Sequence, residues 1–272
     1  MKISTEIGSI SKVVGREKAV EYVAKAGFDA FDLSLFHLTC EDYTNAARRA
    51  ECIAEARGLR EIGEVLGIHC NQAHAPFPTK IDSTKIALEC AAEAGAKYCI
   101  VHPLNRFSAE QNAEMFRELL PFAKSVGVRM ATENMWNWDK EADIALPAAC
   151  SSPEDFVKHI DTVNDEYLVA CLDIGHAEMA GIGTSAPEMI LALGGRLHAL
   201  HLHDNDKHLD SHQIPFSMQI DFGAVVEALK SIEYKGYLTL EADRYMSAYT
   251  PENALEGVKK LAESAKRLSD MF

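Results

Sequence analysis

Imidazole and carboxylate side chains recur at the ends of short apolar runs in this chain. The densest stretch is LHALHLHDNDKHLDSHQIPF, residues 197–216, which carries His198, His201, His203, His208 and His212 with Asp204, Asp206 and Asp210. Elsewhere QAH ends at His74, IVH at His102, ATE at Glu133, and LTLE at Glu241, while CLDIGH supplies Asp173 and His176. One such residue at a strand end is ordinarily a hydrogen-bonded polar group. Six consecutive run ends of this kind are different, because the nearby loops offer only Lys80, Arg106, Lys140, Lys207 and Arg244 as cations. Carboxylates converging in a low-dielectric mouth repel one another unless a divalent cation neutralises them. A ligand set of His, Asp and Glu without cysteine suits Zn²⁺ or Mn²⁺ rather than a thiolate site.

The elements that must position these residues alternate regularly. β-type runs fall at 2–7, 30–35, 68–74, 97–102, 128–133, 168–173, 197–203 and 236–242. Segments of helical period lie at 16–26, 44–66, 80–94, 108–126, 153–163, 186–194, 221–232 and 251–270. AGFDAF, LGIHC, AGAKYCI, VGVRM and YKGYLTL each place a glycine between a helix end and the next strand, a helix C-terminal signal. Eight βα units in 272 residues predict an α/β fold, a (β/α)₈ TIM barrel forming a single domain over 1–272. No GxGxxG or GxxxxGK[ST] phosphate loop points to an open nucleotide-binding sheet instead.

In such a barrel the active site lies at the C-terminal ends of the strands. Strand alternation places Arg129, Ala131 and Glu133 on one face, and likewise Val169, Cys171 and Asp173; Leu197, Ala199 and His201; Tyr237, Thr239 and Glu241. Leu172, Leu200, Leu202, Leu238 and Leu240 fall on the alternate faces, suited to packing against helices. The polar ends therefore point into the mouth. His198 falls on the alternate face as a structural residue. The one long connection, 134–152, reads as a functional loop.

Composition bounds the partners. Apolar residues make up 47% and charged residues 25%, ordinary for a globular chain. A net charge of -14 disfavours nucleic-acid backbones. The seven cysteines lack CxxC pairing and read as reduced thiols. No signal-peptide or membrane-length apolar run is present, so the chain reads as soluble and cytoplasmic, without a membrane partner. A homo-oligomer in which a neighbouring chain closes the mouth stays open.

The motifs HAPF (74–77), VHP (101–103), LDIGH (172–176), HLHD (201–204), DSH (210–212) and LEA (240–242) carry a resemblance. The chain resembles the xylose isomerase-like TIM barrels: sugar isomerases and epimerases, hydroxypyruvate isomerase, inosose dehydratase and the endonuclease IV group. Similarity to the ketose 3-epimerases implies one divalent ion held by Glu133, Asp173, His201 and Glu241. Similarity to endonuclease IV implies further ligands at His74, His102, His176, Asp210 and His212, hence one to three ions, Mn²⁺ or Zn²⁺. Two departures stand out. IPFSMQIDF keeps Pro215 and Asp221 but has no glycine before Asp221, and Lys207 stands where the epimerases place a substrate-binding arginine.

The implied activity is that of a metal-dependent sugar or sugar-phosphate isomerase or epimerase. Glu133 and Glu241 would transfer the proton through a metal-stabilised enediolate, with His176 bonding a substrate oxygen. Trp136, Trp138 and Asp139 would cover a small carbohydrate. His74, His102, His203, Arg106, Lys207 and Arg244 complete the expected substrate contacts. The alternative is an endonuclease IV-like trinuclear zinc phosphodiesterase or AP endonuclease. The acidic loop residues Glu41, Asp42, Asp139, Glu141, Asp143, Asp206 and Asp243 argue against it, since they would repel a DNA backbone.

Overall fold

The computed structural model describes residues 1–272. Its eight parallel strands, in chain order, are Ile3–Glu6, Ala30–Ser34, His69–His74, Tyr98–Ile100, Arg129–Glu133, Leu168–Asp173, Leu197–His201 and Leu238–Leu240. The eighth pairs with the first, and pairing then runs in sequence order to the seventh. A bridge between Leu202 and Leu240 joins the seventh strand to the eighth and closes the ring. The expected TIM barrel is therefore the observed fold.

Two layers of apolar side chains hold it. Ile100, Ala131, Val169, Cys171 and Ala199 form a small cluster inside the ring. Leu172, Leu200, Leu202, Leu238 and Leu240 join the 66-residue core between ring and helices. This is the predicted alternation: the inward series continues upward from Ala131 to Glu133, from Cys171 to Asp173 and from Ala199 to His201. Register then aligns the polar ends, pairing Asp173 with His201 across neighbouring strands.

Eight long helices wrap the ring, from Arg16–Ala26 to Ala254–Ser269. Gly27 and Gly67 end two of them in the left-handed conformation, with φ of 95° and 80°. YKGYLTL does not work this way: Glu233 takes the positive φ of 54° there. A Cβ on Gly236 would instead meet the Tyr234 ring, so that glycine serves packing. The helix expected over 44–66 runs from Ala46 to Leu66, and a separate short helix, Cys40–Thr44, precedes it. Asn45 makes the break, accepting hydrogen bonds from the Ala47 and Arg48 backbone amides as the second helix's cap.

The connection 134–152 is not a bare loop. Trp136–Asp139 and Ile144–Pro147 pair as an antiparallel hairpin. Nor is it the one long connection: between His201 and Phe222 the chain holds only isolated bridges, from Leu202 to Leu240 and from Asp204 to Gln213. Asp204 anchors that segment, accepting from the backbone amides of Met218 and Ile220 at 2.8 and 3.0 Å. No helix is long and apolar enough to cross a membrane.

Candidate metal centre

The fifth strand delivers Glu133 to the middle of the mouth, almost fully buried. Its Oε2 lies 2.8 Å from His102 Nε2 and its Oε1 lies 2.7 Å from His201 Nδ1. The eighth strand's Glu241 faces the same histidine, with Oε2 3.4 Å from His201 Nδ1. Its Oε1 lies 3.2 Å from His74 Nδ1, and His74 Nε2 lies 3.0 Å from His102 Nε2. The sixth strand ends at Asp173, whose Oδ1 accepts from the His176 backbone amide at 2.7 Å and caps the short helix Ile174–Glu178. Asn134 fixes that strand end by bonding Asp173's backbone on both sides.

A second focus adjoins the first. His176 Nδ1 donates to the Asn134 carbonyl at 2.9 Å, which leaves Nε2 facing Asp210 Oδ2 at 3.3 Å. His212 Nδ1 donates to the Glu241 carbonyl at 2.8 Å, and its Nε2 lies 3.0 Å from the same Asp210 oxygen. His203 stacks on His212 with ring centroids 3.9 Å apart, and its Nε2 reaches Asp173 Oδ1 at 3.1 Å and Asp210 Oδ1 at 3.5 Å.

Ligand-type atoms therefore converge in five overlapping groups, among them His74, His201 and Glu241, and Glu133, Cys171 and His201. Glu133, Asp173, His201 and Glu241 form one, with all four atoms within 4.8 Å of one another. His74 and His102 form another with Glu133, and His176, His203, Asp210 and His212 a third. The sequence placed His203 among substrate contacts; here it is fully buried and offers a nitrogen to the third group. Its position two residues after His201, on the same inward series, was the signal.

Charge and satisfaction both fit cations. Burial pushes the Glu133 carboxyl up, but His201 and His102 outweigh it and hold it well below the usual range. His102 is itself pushed down by burial, so His201 is the cationic partner. Burial likewise opposes ionisation of Asp210, and His176 and His212 reverse the effect. On the imidazole side, burial lowers His176, but Asp173 and Asp210 carry it well above its usual value. Burial lowers His212 too, and Asp210 raises it to about 10. Protons thus fill the role that a divalent ion would take among these carboxylates. Asp173 Oδ2 and Asp210 Oδ1 are buried without a hydrogen-bond partner. Two orphaned carboxylate oxygens among buried imidazoles are the donor set a divalent ion requires.

The centre opens into a cavity of about 380 Å³. Its outer walls are Phe36, Phe77, Met135 and Trp136, and no lysine or arginine lines it. Phe36 packs on His74 at 4.5 Å between ring centroids, and Phe77 on His102 at 5.0 Å. The sequence reading missed both phenylalanines, although each closely follows a strand end. Besides His203, five expected contacts stand apart from this cavity. Asp139 accepts from the backbone amides of Glu141 and Ala142 and shapes the hairpin turn. Lys207 is paired with Glu178 at 3.0 Å. Arg106 and Arg244 are exposed, although Asn105, beside Arg106, lines the cavity and donates to the Trp136 carbonyl. Trp138 packs against His208 rather than the cavity.

A further carboxyl that sequence reasoning missed flanks the mouth. Glu6 ends the first strand, accepts from the Ser9 backbone amide at 3.0 Å and also takes the Ser9 hydroxyl. Burial raises it to about 7, with Asp243 and Glu241 adding repulsion against the Ser9 bonds. At the opposite, N-terminal end of the barrel a cavity of about 350 Å³ is lined by Tyr98, His198, Tyr234 and Tyr237. Their polar atoms bond one another, His198 Nδ1 lying 3.2 Å from the Tyr98 hydroxyl, and no ligand cluster lies there.

Gly175 carries a testable packing constraint. A Cβ at this position would overlap the His203 ring. Gly175→Ala is expected to displace that ring, lowering stability by about 1–3 kcal/mol and the number of ions retained. Thermal melting with elemental analysis checks this; an unaltered melting temperature and metal content would refute it.

Comparison with known proteins agrees with this architecture. The family model described as xylose isomerase-like TIM barrel matches residues 20–268. An uncharacterized protein of Methanocaldococcus jannaschii is 25% identical over 91% of this chain and 88% of its own. Among solved structures, a D-tagatose 3-epimerase-like protein superposes with a TM-score of 0.72 at 20% identity, covering 99% of both chains. The IolI protein with a binding zinc atom superposes with a TM-score of 0.75 at 18% identity, covering 100% of this chain and 99% of that one.

Proposed function

The chain belongs to the xylose isomerase-like TIM barrel family, and from that premise we propose that it is a divalent-metal-dependent sugar isomerase or epimerase. One observation carries the reading: Glu133 and Glu241, which both face His201, line a cavity walled by Phe36, Phe77, Met135 and Trp136. Proton movement beside a carbonyl needs a carboxylate that can take and return the proton. Glu133 and Glu241 are the candidates, each oriented by an imidazole, His102 for the first and His74 for the second. A divalent ion bound by Glu133, Asp173, His201 and Glu241 supplies Lewis-acid polarisation of the carbonyl. Phe36, Phe77 and Trp136 offer apolar faces of the kind that cover the C–H face of a sugar. His176 presents Nε2 at the cavity wall for a substrate oxygen when it holds no ion. The solved relatives named for a tagatose 3-epimerase-like protein and for bound zinc support the same reading.

The absence of Lys or Arg from the cavity favours a free sugar over a sugar phosphate. One observation favours a second reading. Three of the ligand groupings share Glu133 and a fourth, of His176, His203, Asp210 and His212, adjoins them, an arrangement that suits metal-assisted phosphodiester hydrolysis. Incubation with free ketoses in D₂O separates the two. Metal-dependent deuterium incorporation at the carbon beside the carbonyl is the expected result. No incorporation, with metal-dependent incision of abasic DNA, would replace the first reading by the second.

A further inference from the structure

The second strand brings no ligand to the mouth, yet its central residue is an acid. Asp32 is completely buried, and no lysine or arginine pairs with it. A carboxylate there carries a desolvation cost of several kcal/mol, so its contacts need an account. Asp32 Oδ2 accepts from Gln72 Nε2 at 2.9 Å and faces His201 Nε2 at 3.2 Å. Asp32 Oδ1 has no hydrogen-bond partner.

The neighbours of Gln72 fix the direction of these bonds. Gln72 Oε1 accepts from Asn71 Nδ2 at 3.2 Å and from the Thr239 hydroxyl at 3.3 Å. Asn71 Oδ1 in turn accepts from the Ser4 hydroxyl at 2.6 Å. With its oxygen so occupied, the Gln72 amide must turn its N–H toward Asp32. Asp32 Oδ2 is therefore an acceptor, and the proton of the His201 contact resides on Nε2. That leaves Nδ1 as the nitrogen facing Glu133 and Glu241, 2.7 Å from the former.

Resting on the reading that Glu133, Asp173, His201 and Glu241 hold a divalent ion, we propose that Asp32 is a positioning residue for that centre. Its hydrogen bond to Nε2–H sets the tautomer and the ring orientation of His201, so that the Nδ1 lone pair is presented to the ion. Ser4, Asp32, Asn71, Gln72 and Thr239, from the first, second, third and eighth strands, build this support, and none of them lines the substrate cavity. Such outer partners of a ligating histidine typically contribute about 10–100-fold in metal affinity.

The test uses the full chain, stripped and then titrated with Zn²⁺ and Co²⁺ against a chromophoric chelator. Asp32→Ala is expected to weaken binding by about 10–100-fold and to shift the visible bands of bound Co²⁺. Asp32→Asn keeps an oxygen where Oδ2 stands and loses only the charge, so it is expected to recover part of the affinity. Its bound-Co²⁺ bands are expected to lie between those of the wild type and of Asp32→Ala while its far-UV spectrum stays unchanged, a graded ligand-field response that a purely structural role would not give. Should Asp32→Ala fail to fold, Asp32→Asn decides alone. Wild-type affinity and Co²⁺ spectrum in the folded variants overturn the proposal. A wild-type chain that binds neither ion overturns the metal reading beneath it.

Discussion

Replacing Glu133 by glutamine is expected to remove metal and turnover together. The two side chains have the same shape, so the substitution tests charge at one position. Glu133 belongs to more of the ligand groupings than any other residue except His201. It bonds His102 through one oxygen and His201 through the other. Without its charge, both imidazoles lose an anionic partner and three of the five groupings lose a ligand. Loss of a proton-transferring group alone costs about 10²–10⁴-fold in rate; with the ion gone as well, the fall in kcat/KM is expected at the upper end of that range or beyond. Elemental analysis and a solvent-exchange assay on the same preparation read both effects. Unchanged metal content with full activity would show that the centre lies elsewhere. Metal lost with activity retained would separate the ion from the chemistry and remove its proposed role.

The barrel was legible because its signals are periodic. Inward residues at every second position and helical segments between them repeat eight-fold, with glycine ending five of the eight long helices, so errors at single boundaries do not accumulate. The ligand positions were legible for the same reason, since an imidazole or carboxylate at a strand's C-terminal end has one place to go in a closed barrel. What stayed hidden depends on contacts between distant residues. Lys207 reads as a free cation until Glu178, 29 positions earlier, takes it up. Asp139 reads as a sugar contact until the hairpin turns on it. The hairpin itself is two four-residue strands, too short to show alternation. Asp32 lies in the β-type run 30–35 and carries no role legible in the sequence, because nothing local shows that His201 sits across the ring from it. The lesson is physical: period reveals which face a residue lies on, whereas its partner is set by ring closure.

Metal binding is expected to be strongly linked to pH and to release protons. In the metal-free chain His176 and His212 are held above their ordinary value of 6.5, His212 at about 10, because Asp210 and its neighbours outweigh burial. Burial also opposes the charge on His201, and it too is carried well above 6.5. Among the anions named around it, Cys171 is pushed up to about 12 by burial and is neutral near pH 7, so Glu241, Glu133 and Asp32 are the operative ones. Ions can bind only as these imidazoles lose protons, so affinity rises with pH through the neutral range toward about 10. The stability of the metal-free chain has the opposite slope. Raised imidazoles contribute fully below about 6.5, and that contribution is lost as pH climbs through their folded values. Glu133, Glu241 and Asp210 are depressed, so their contribution is present above about 4.5 and is lost as pH falls through their lower folded values. The stripped protein is therefore expected to be most stable between about pH 4.5 and 6.5, and the loaded protein at higher pH. At 100 times Kd a single ion adds about 2.7 kcal/mol, about 5–10 °C in Tm for a chain near this size. Melting curves from pH 4 to 10, with and without chelator, measure the divergence, and an indicator dye in weak buffer counts the protons released on loading. Parallel curves with no proton release would mean that the buried imidazoles are not ligands.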